Sequence, residues 1–568
     1  MHKSITILVL CLFFCLVLSA ENPYKGFEDI IAALDKDGYN IVKVAKYKKS
    51  RGALAYHRTA VNYETKKPKQ LFYLEGNAFE MGYLTGVLAH EDVEITCSKF
   101  IDGVLTDFLN GDVGTGRRNF ILEIVKTWLK EGVKSVRPDV PQEYIDEMKG
   151  MVAGCKKMNL KTEVSVSKLL MVNVGFDCIL SRYYTLDFSN IYGIKPEELN
   201  APVMCNDFSV FGNATVDKKH YFGRDFMFPT GGIMEYRLGM TVYNPTDGRL
   251  PMVAVNCPGM VGSVTTMNSR GVGMAVDNLP GNNCNPKRVG INSIMMLRHV
   301  THRATSARHA VDIMVDVPRG VSWLYFIADG TNDEAVVVEG GATMDKMDFP
   351  AFANQDFMWL QMLPNSTFLN NHENQQHRKG LTFRWNDYKY PQEFLKFNAD
   401  MFNYFEKREH KNMWSTRGYV NKNYEEKNCP LYYFFPPQRE NKDDVLIMTN
   451  FSIVPSMRLC GMNPWTVNVY AKRYDDMQWR YDELNVQILD SYGKIDEKKA
   501  IEIIDYLAPY KKFPHYYDKI KSSPDGKTKI IKGAVSLCNM TDRVIHSHVG
   551  YYADGWIKAT LDNYLSKK

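Results

Sequence analysis

Cys205 stands in the run Met204-Cys205-Asn206-Asp207-Phe208-Ser209-Val210-Phe211, and Tyr221-Phe222-Gly223-Arg224-Asp225-Phe226-Met227-Phe228 follows after a polar turn. Both arms are aromatic and apolar and residues 213–219 between them are polar, which is the pattern of a β-hairpin. With the turn centred near Val216, counting puts Cys205 opposite about residue 227, so Arg224 and Asp225 fall two or three positions along the partner strand. A thiol, a guanidinium and a carboxylate would then share one site. The arginine favours the reactive thiolate, and the carboxylate could hold a cation such as an α-amino group. Taken alone, a cysteine in an aromatic strand is a small buried hydrophobe.

The elements that must position these groups change character at Cys205. Before it, apolar residues at three- and four-residue spacing predict helices over Phe27–Leu34, Met81–Leu109, Phe120–Leu129, Tyr144–Met158 and Val164–Val174, a largely helical segment. After it, short runs at 205–211, 219–228, 235–243, 250–256, 260–266 and 271–276 are separated by turn dipeptides and predict sheet. Helices are expected over 291–299 and 306–316, a hairpin around Asp329-Gly330, helices over 476–492 and 498–507, and closing strands over 529–537 and 544–549. The aromatic, Asn-rich stretch 350–439 reads as an insertion over the site.

Composition narrows the class. The chain has 568 residues, 45% hydrophobic and 12% aromatic, enough for one large or two medium cores. Its formal charge of +5 comes from 70 basic and 65 acidic side chains without a basic stripe, so no nucleic-acid partner is expected, and the cluster around Lys43–Lys49 reads as solvated surface. Residues 1–20 combine Met-His-Lys, an apolar run from Ile7 to Leu18 and Ser19-Ala20, the pattern of a secretory signal peptide. No later run reads as an integral membrane segment, which predicts a lumenal lysosomal or endosomal protein, or a secreted one. Of eleven cysteines, Cys11 and Cys15 lie in the leader; with Cys205 reactive, the other eight (97, 155, 178, 257, 284, 429, 460, 538) are expected to pair as disulfides, with at least one bridge across the Cys205 boundary. Glycans are expected at the sequons of Asn365, Asn213 and Asn539, whereas that of Asn450 would stay bare.

Cys205 with Gly223-Arg224-Asp225-Phe226 resembles the start of the mature chain in cysteine-type N-terminal-nucleophile (Ntn) hydrolases, specifically the acyl-coenzyme A:6-aminopenicillanic acid acyltransferase family, with bile-salt hydrolases and penicillin V acylases as more distant relatives. The resemblance extends to Leu74-Glu75-Gly76-Asn77 through Gly86, to Met267-Asn268, to Asp277-Asn278-Leu279-Pro280-Gly281-Asn282, to Gly320–Tyr325, to Met448-Thr449-Asn450 and to Trp479-Arg480-Tyr481-Asp482. It implies an α+β fold, a four-layer αββα Ntn sandwich over 205–568 preceded by a helical pro-region over 21–204. It also implies self-cleavage between Met204 and Cys205.

In such a mechanism the freed α-amine takes the thiol proton and no cofactor is needed. The resemblance implies Cys205 as nucleophile, Arg224 beside the thiolate or substrate, Asp225 on the α-ammonium, Asn278 and Asn450 as oxyanion donors, and Arg480 as a brace, with Arg473 a rival for that last role. Each oxyanion donor is worth on the order of 3 kcal/mol of barrier. Relatives carry an acid three residues after the arginine where this chain has Met227; Asp225 or Asp207 would stand in. The expected reaction is hydrolysis or transfer of the acyl group of an N-acylated small molecule or lipid through a Cys205 thioester, with the pro-region a candidate retained subunit. Two other readings are a non-catalytic secreted glycoprotein that uses the fold as a binding module, and a cysteine endopeptidase pairing Cys205 with His220.

Overall fold

The computed structural model describes residues 24–107, 109, 113–185, 191–195, 198, 205–228, 230–279, 284–344, 378–389, 414–415, 418–419, 442–454, 457, 474–507 and 530–565. The leader, Met204, Asn365, Cys429, Cys460, Arg473 and most of the expected insertion lie outside them.

Helix α1 (Glu28–Lys36) leads into strands β1 (Tyr39–Tyr47), β2 (Ser50–Val61) and β3 (Pro68–Gly76), followed by helices α2 (Ala78–Asp107), α3 (Thr115–Val136), α4 (Gln142–Met158) and α5 (Val166–Tyr183). The largely helical segment expected before Cys205 is thus corrected at residues 39–76. These three strands form one edge of a ten-stranded sheet, and β3 pairs in parallel with β6 (Gly239–Pro245). Lys43 and Lys46 of β1 lie on the sheet's edge strand, where exposed cations discourage further pairing, and the largely buried β3 lies between β2 and β6. The motif at 74–86 owes its residues to the same junction. Asn77 and Glu80 cap α2 reciprocally, each side chain accepting the other's backbone N–H at 3.0 Å.

The large sheet continues through β7 (Met252–Asn256), β8 (Thr265–Asn268) and β9 (Val272–Asn278) to β10 (Trp323–Asp329), β11 (Glu334–Gly340) and β12 (Leu381–Trp385). Helices α6 (Ser293–Thr301) and α7 (Ala307–Asp316) lie on it. A six-stranded sheet runs β13 (Val445–Thr449), β4 (Asn206–Val210), β5 (Tyr221–Met227), β14 (Ile530–Asn539), β15 (Val544–Tyr551) and β16 (Ile557–Thr560). Helices α8 (Tyr474–Asp490) and α9 (Glu497–Leu507) pack on this smaller sheet. The two sheets meet where Phe222 of β5 stacks on Phe326 of β10, ring centroids 5.0 Å apart, and where Arg384 of β12 donates to the Ile447 carbonyl of β13.

The β4–β5 hairpin forms as expected, with a different register. Asn206 pairs with Asp225, Asp207 with Arg224 and Val210 with Tyr221, one residue off the count from Val216. Because side chains alternate, a one-residue slip changes which of them share a face. In this register Asp207 and Arg224 point to the side that carries Cys205, and Asn206 and Asp225 to the other.

Candidate active site

Cys205 precedes the first residue of β4 and is buried. Its backbone N–H donates to Asn450 Oδ1 at 2.9 Å, and its thiol reaches the Met227 carbonyl at 3.6 Å. Arg480, from α8, donates through Nη1 to the Cys205 carbonyl and to Asn206 Oδ1 at 2.6 Å, and through Nη2 to Asn450 Oδ1 at 3.0 Å. Asn450, just past β13, donates from Nδ2 to the Asn278 carbonyl at 2.9 Å. Asn278 ends β9, and its Oδ1 accepts from the Tyr184 hydroxyl. The Asn278 Nδ2 is buried and finds no hydrogen-bond partner among the described residues.

On the sheet-facing side of the hairpin, Arg224 donates from Nη1 to Asp277 Oδ1 at 2.6 Å and to its own neighbour's carbonyl, Asp225 O, at 2.9 Å, with Asp207 Oδ2 at 3.5 Å. Its Nη2 donates to the Val276 carbonyl. The Cys205 thiol is on the same face of the hairpin and feels the charges of both the Asp277 carboxyl and this guanidinium. Asp225 takes the opposite face, where it accepts from Asn206 Nδ2 at 3.0 Å and feels the Arg480 charge.

Burial dominates the electrostatics. It pushes the Cys205 thiol up to about 12, Asp277 adds to that rise, and Arg224 opposes it. Desolvation raises Asp207 and Asp225 well above the ordinary carboxylate value and raises Asp277 too, against the pull of Arg224. The site therefore holds a neutral thiol in the uncut chain.

Of the six side chains expected in the site, Cys205, Arg224, Asn278, Asn450 and Arg480 form one connected network; Asp225 joins it through Asn206. Asp277 and Tyr184 carried no expected role. Asp277 sat inside a quoted motif, but only strand alternation in β9 aims it at Arg224. His220 lies at the other end of the hairpin, 2.6 Å from Ser209 Oγ, so the Cys205–His220 pair of the endopeptidase reading does not form. Cys97, Cys155, Cys178, Cys205, Cys257, Cys284 and Cys538 are all free thiols; no disulfide exists among the described residues, which removes the pairing expected for these cysteines. Asn213 is exposed, whereas Asn539 is buried with Nδ2 donating to Glu497 and Asp542. No helix among the described residues is long and apolar enough to cross a membrane.

These features define a mixed helix-and-sheet protein with a buried cysteine tied to an arginine and an asparagine on separate elements. Residues 236–353 match the acyl-coenzyme A:6-aminopenicillanic acid acyl-transferase family, the resemblance carried by the motifs; that stretch contains Asp277 and Asn278 and excludes Cys205. An uncharacterized protein of Archaeoglobus fulgidus is 28% identical over 521 residues, covering 91% of this chain and 68% of its own. Among solved structures, a Caenorhabditis elegans ortholog of N-acylethanolamine-hydrolyzing acid amidase is 8% identical over 59% of this chain and 93% of that one, at a TM-score of 0.28. A mutant conjugated bile acid hydrolase from Clostridium perfringens is 10% identical over 63% and 93%, and penicillin V acylase from Agrobacterium tumefaciens 9% over 61% and 83%, both at a TM-score of 0.28. Similarity at this level does not extend to what those enzymes act on.

Proposed function

We propose that the chain is an Ntn cysteine amidohydrolase or acyltransferase that cuts itself before Cys205 and then acts on linear amides of an N-acylated small molecule or lipid. The observation that carries the reading is the Cys205 backbone nitrogen held on Asn450 Oδ1 while Arg224 and Asp277, 2.6 Å apart, act on the thiol electrostatically. After a cut at Met204-Cys205, that nitrogen becomes an α-amine with an ordinary pKa near ~8, able to take the thiol proton at neutral pH. Asn450 Oδ1, itself fixed by Arg480, would orient the amine. The thiolate attacks the acyl carbonyl, the unpartnered Asn278 Nδ2 faces the developing oxyanion, the amine leaves with a proton from the α-ammonium, and water or an acceptor amine resolves the thioester.

Helices outside two facing sheets support the αββα sandwich; the proposed cut would separate 21–204 from 205–568, with β1 to β3 of the first piece seated in the large sheet. A lumenal location and a glycan at exposed Asn213 belong to the same reading, drawn from the leader pattern and the sequon. Met227 favours a second reading, a binding module without catalysis, because a buried methionine occupies the position of the relatives' acid. Purified wild type and Cys205→Ala, assayed for chain cleavage and for hydrolysis of N-acyl amides, separate the two. Loss of both activities in Cys205→Ala supports the enzyme. Wild-type protein that neither cuts nor hydrolyses any amide supports the module.

A further inference from the structure

An Ntn cysteine lacks its base until it has been cut free. In the intact chain the Cys205 nitrogen is a peptide amide, its lone pair delocalised, and the buried thiol does not ionise unaided. The position of the relatives' acid holds Met227, whose side chain cannot accept a proton. Asp277, which arrives from the facing sheet rather than from the hairpin, is the carboxyl fixed 2.6 Å from Arg224 on the face that carries Cys205, where its charge acts on the thiol.

Asp277 does not stand alone. Arg224 Nη1 lies 2.6 Å from Asp277 Oδ1 and 3.5 Å from Asp207 Oδ2, and all three side chains are fully buried. The remaining oxygens, Asp277 Oδ2 and Asp207 Oδ1, are buried without a donor among the described residues, while the two carboxyls interact with each other. Two buried carboxylates sharing one guanidinium disfavour double ionisation, which favours a pair that keeps one proton. The shorter contact to Arg224 leaves Asp277 as the anion and Asp207 as the acid that donates to it.

We propose that Asp277, held ionised by Arg224 and by a protonated Asp207, is the base that starts self-cleavage in the uncut chain. This rests on the reading of Cys205 as an autoprocessing nucleophile. Asp277 takes the Sγ proton as sulfur bonds to the Met204 carbonyl carbon. The tetrahedral intermediate collapses with rupture of the C–N bond, and Asp277 returns the proton to the departing Cys205 nitrogen. Water then hydrolyses the thioester, giving a free Met204 carboxylate, the thiol and the new α-amine. From that point the amine replaces Asp277 as the base.

The charged and titratable groups facing Asp277 are Cys205, Asp207, Arg224, Asp225 and Arg480, with Cys538 facing Asp207. Burial raises Asp277, so the rise of the cleavage rate is expected at a higher pH than an exposed carboxylate would give. The test follows the appearance of the Cys205 terminus in full-length precursor from mildly acidic to neutral pH. Asp277→Asn is expected to slow it by a hundredfold or more, on the order of a general base's contribution. Hydroxylamine should not rescue that variant, since no thioester forms. Asp277→Glu should restore cutting with a displaced pH midpoint. Wild-type rate and pH profile in Asp277→Asn would overturn the proposal while leaving autoprocessing intact; an uncut wild type would sink both. If Asp277→Asn does not fold, as judged by its melting transition, the wild-type profile decides: a rate independent of pH excludes a carboxyl base.

Discussion

At the scale of single residues, Arg480 touches the Cys205 carbonyl, Asn206 and Asn450 from one guanidinium. A lysine cannot span three acceptors with a point charge, because it lacks the planar fork. Arg480→Lys is therefore expected to lower both the cleavage rate and amide turnover by on the order of a hundredfold, the size of a lost oxyanion-type contact, measured by intact mass and by kcat. Unchanged kcat would reduce Arg480 to a scaffold residue. Much of this constellation was legible in sequence because Cys205, Arg224, Asn278, Asn450 and Arg480 each sit in a recognisable motif. Asp277 was not, since an acid before Asn-Leu-Pro reads as turn chemistry until β9 fixes which way it points. The register of the hairpin was also out of reach: a turn centre misjudged by one residue exchanges the two faces, and only the true pairing sets Asp207 beside Arg224 and Asp225 away from it.

At the scale of elements, the helices before Cys205 and the hairpins after it followed from periodicity, whereas β1 to β3 did not. Strand β1 carries Lys43 and Lys46 three residues apart and an irregularity between Ile41 and Lys43, so it shows no clean two-residue alternation, and its partner β2 supplies the hydrogen bonds. The glycines at 82 and 86 were visible as spacing, and their reason is packing. Helix α2 meets α4 so closely that a Cβ on Gly82 would lie 1.9 Å from the Glu147 carbonyl oxygen, and one on Gly150 2.0 Å from that of Phe79. Glu147 in turn forms a buried bidentate pair with Arg298 of α6 at 2.9 and 2.8 Å, tying α4 to the large sheet's helix layer. Gly82→Ala should therefore lower stability by on the order of 3 kcal/mol or more, read as a drop in melting temperature. An unchanged melting temperature would mean that α2 and α4 can part without cost.

At the scale of the whole molecule, the segment before Cys205 is built into the body: β3 pairs with β6, and the buried Lys69–Asp554 pair, 2.6 Å apart, joins β3 to the C-terminal end. Cut protein should keep both pieces together in native size-exclusion chromatography without a disulfide, and elution of the body alone would contradict this. Stability should also favour acid. Burial raises Asp177, which accepts from Ser293 and Trp323, to about 7. A folded pKa above the unfolded value near ~4 means that stability is fully present below that value and is lost as pH rises toward 7. Asp207, Asp225 and Asp277 shift in the same direction. Denaturant midpoints should thus be higher in mildly acidic than in neutral buffer, and Asp177→Asn should flatten the slope; a midpoint that climbs toward neutrality would contradict it.

All of this chemistry turns on one bond, Met204-Cys205. N-terminal sequencing with intact mass of purified full-length protein, before and after incubation at mildly acidic and neutral pH, reads that bond directly. The expected result is a second chain beginning Cys205-Asn206-Asp207, absent from Cys205→Ala. A single uncut chain under every condition would contradict the Ntn mechanism.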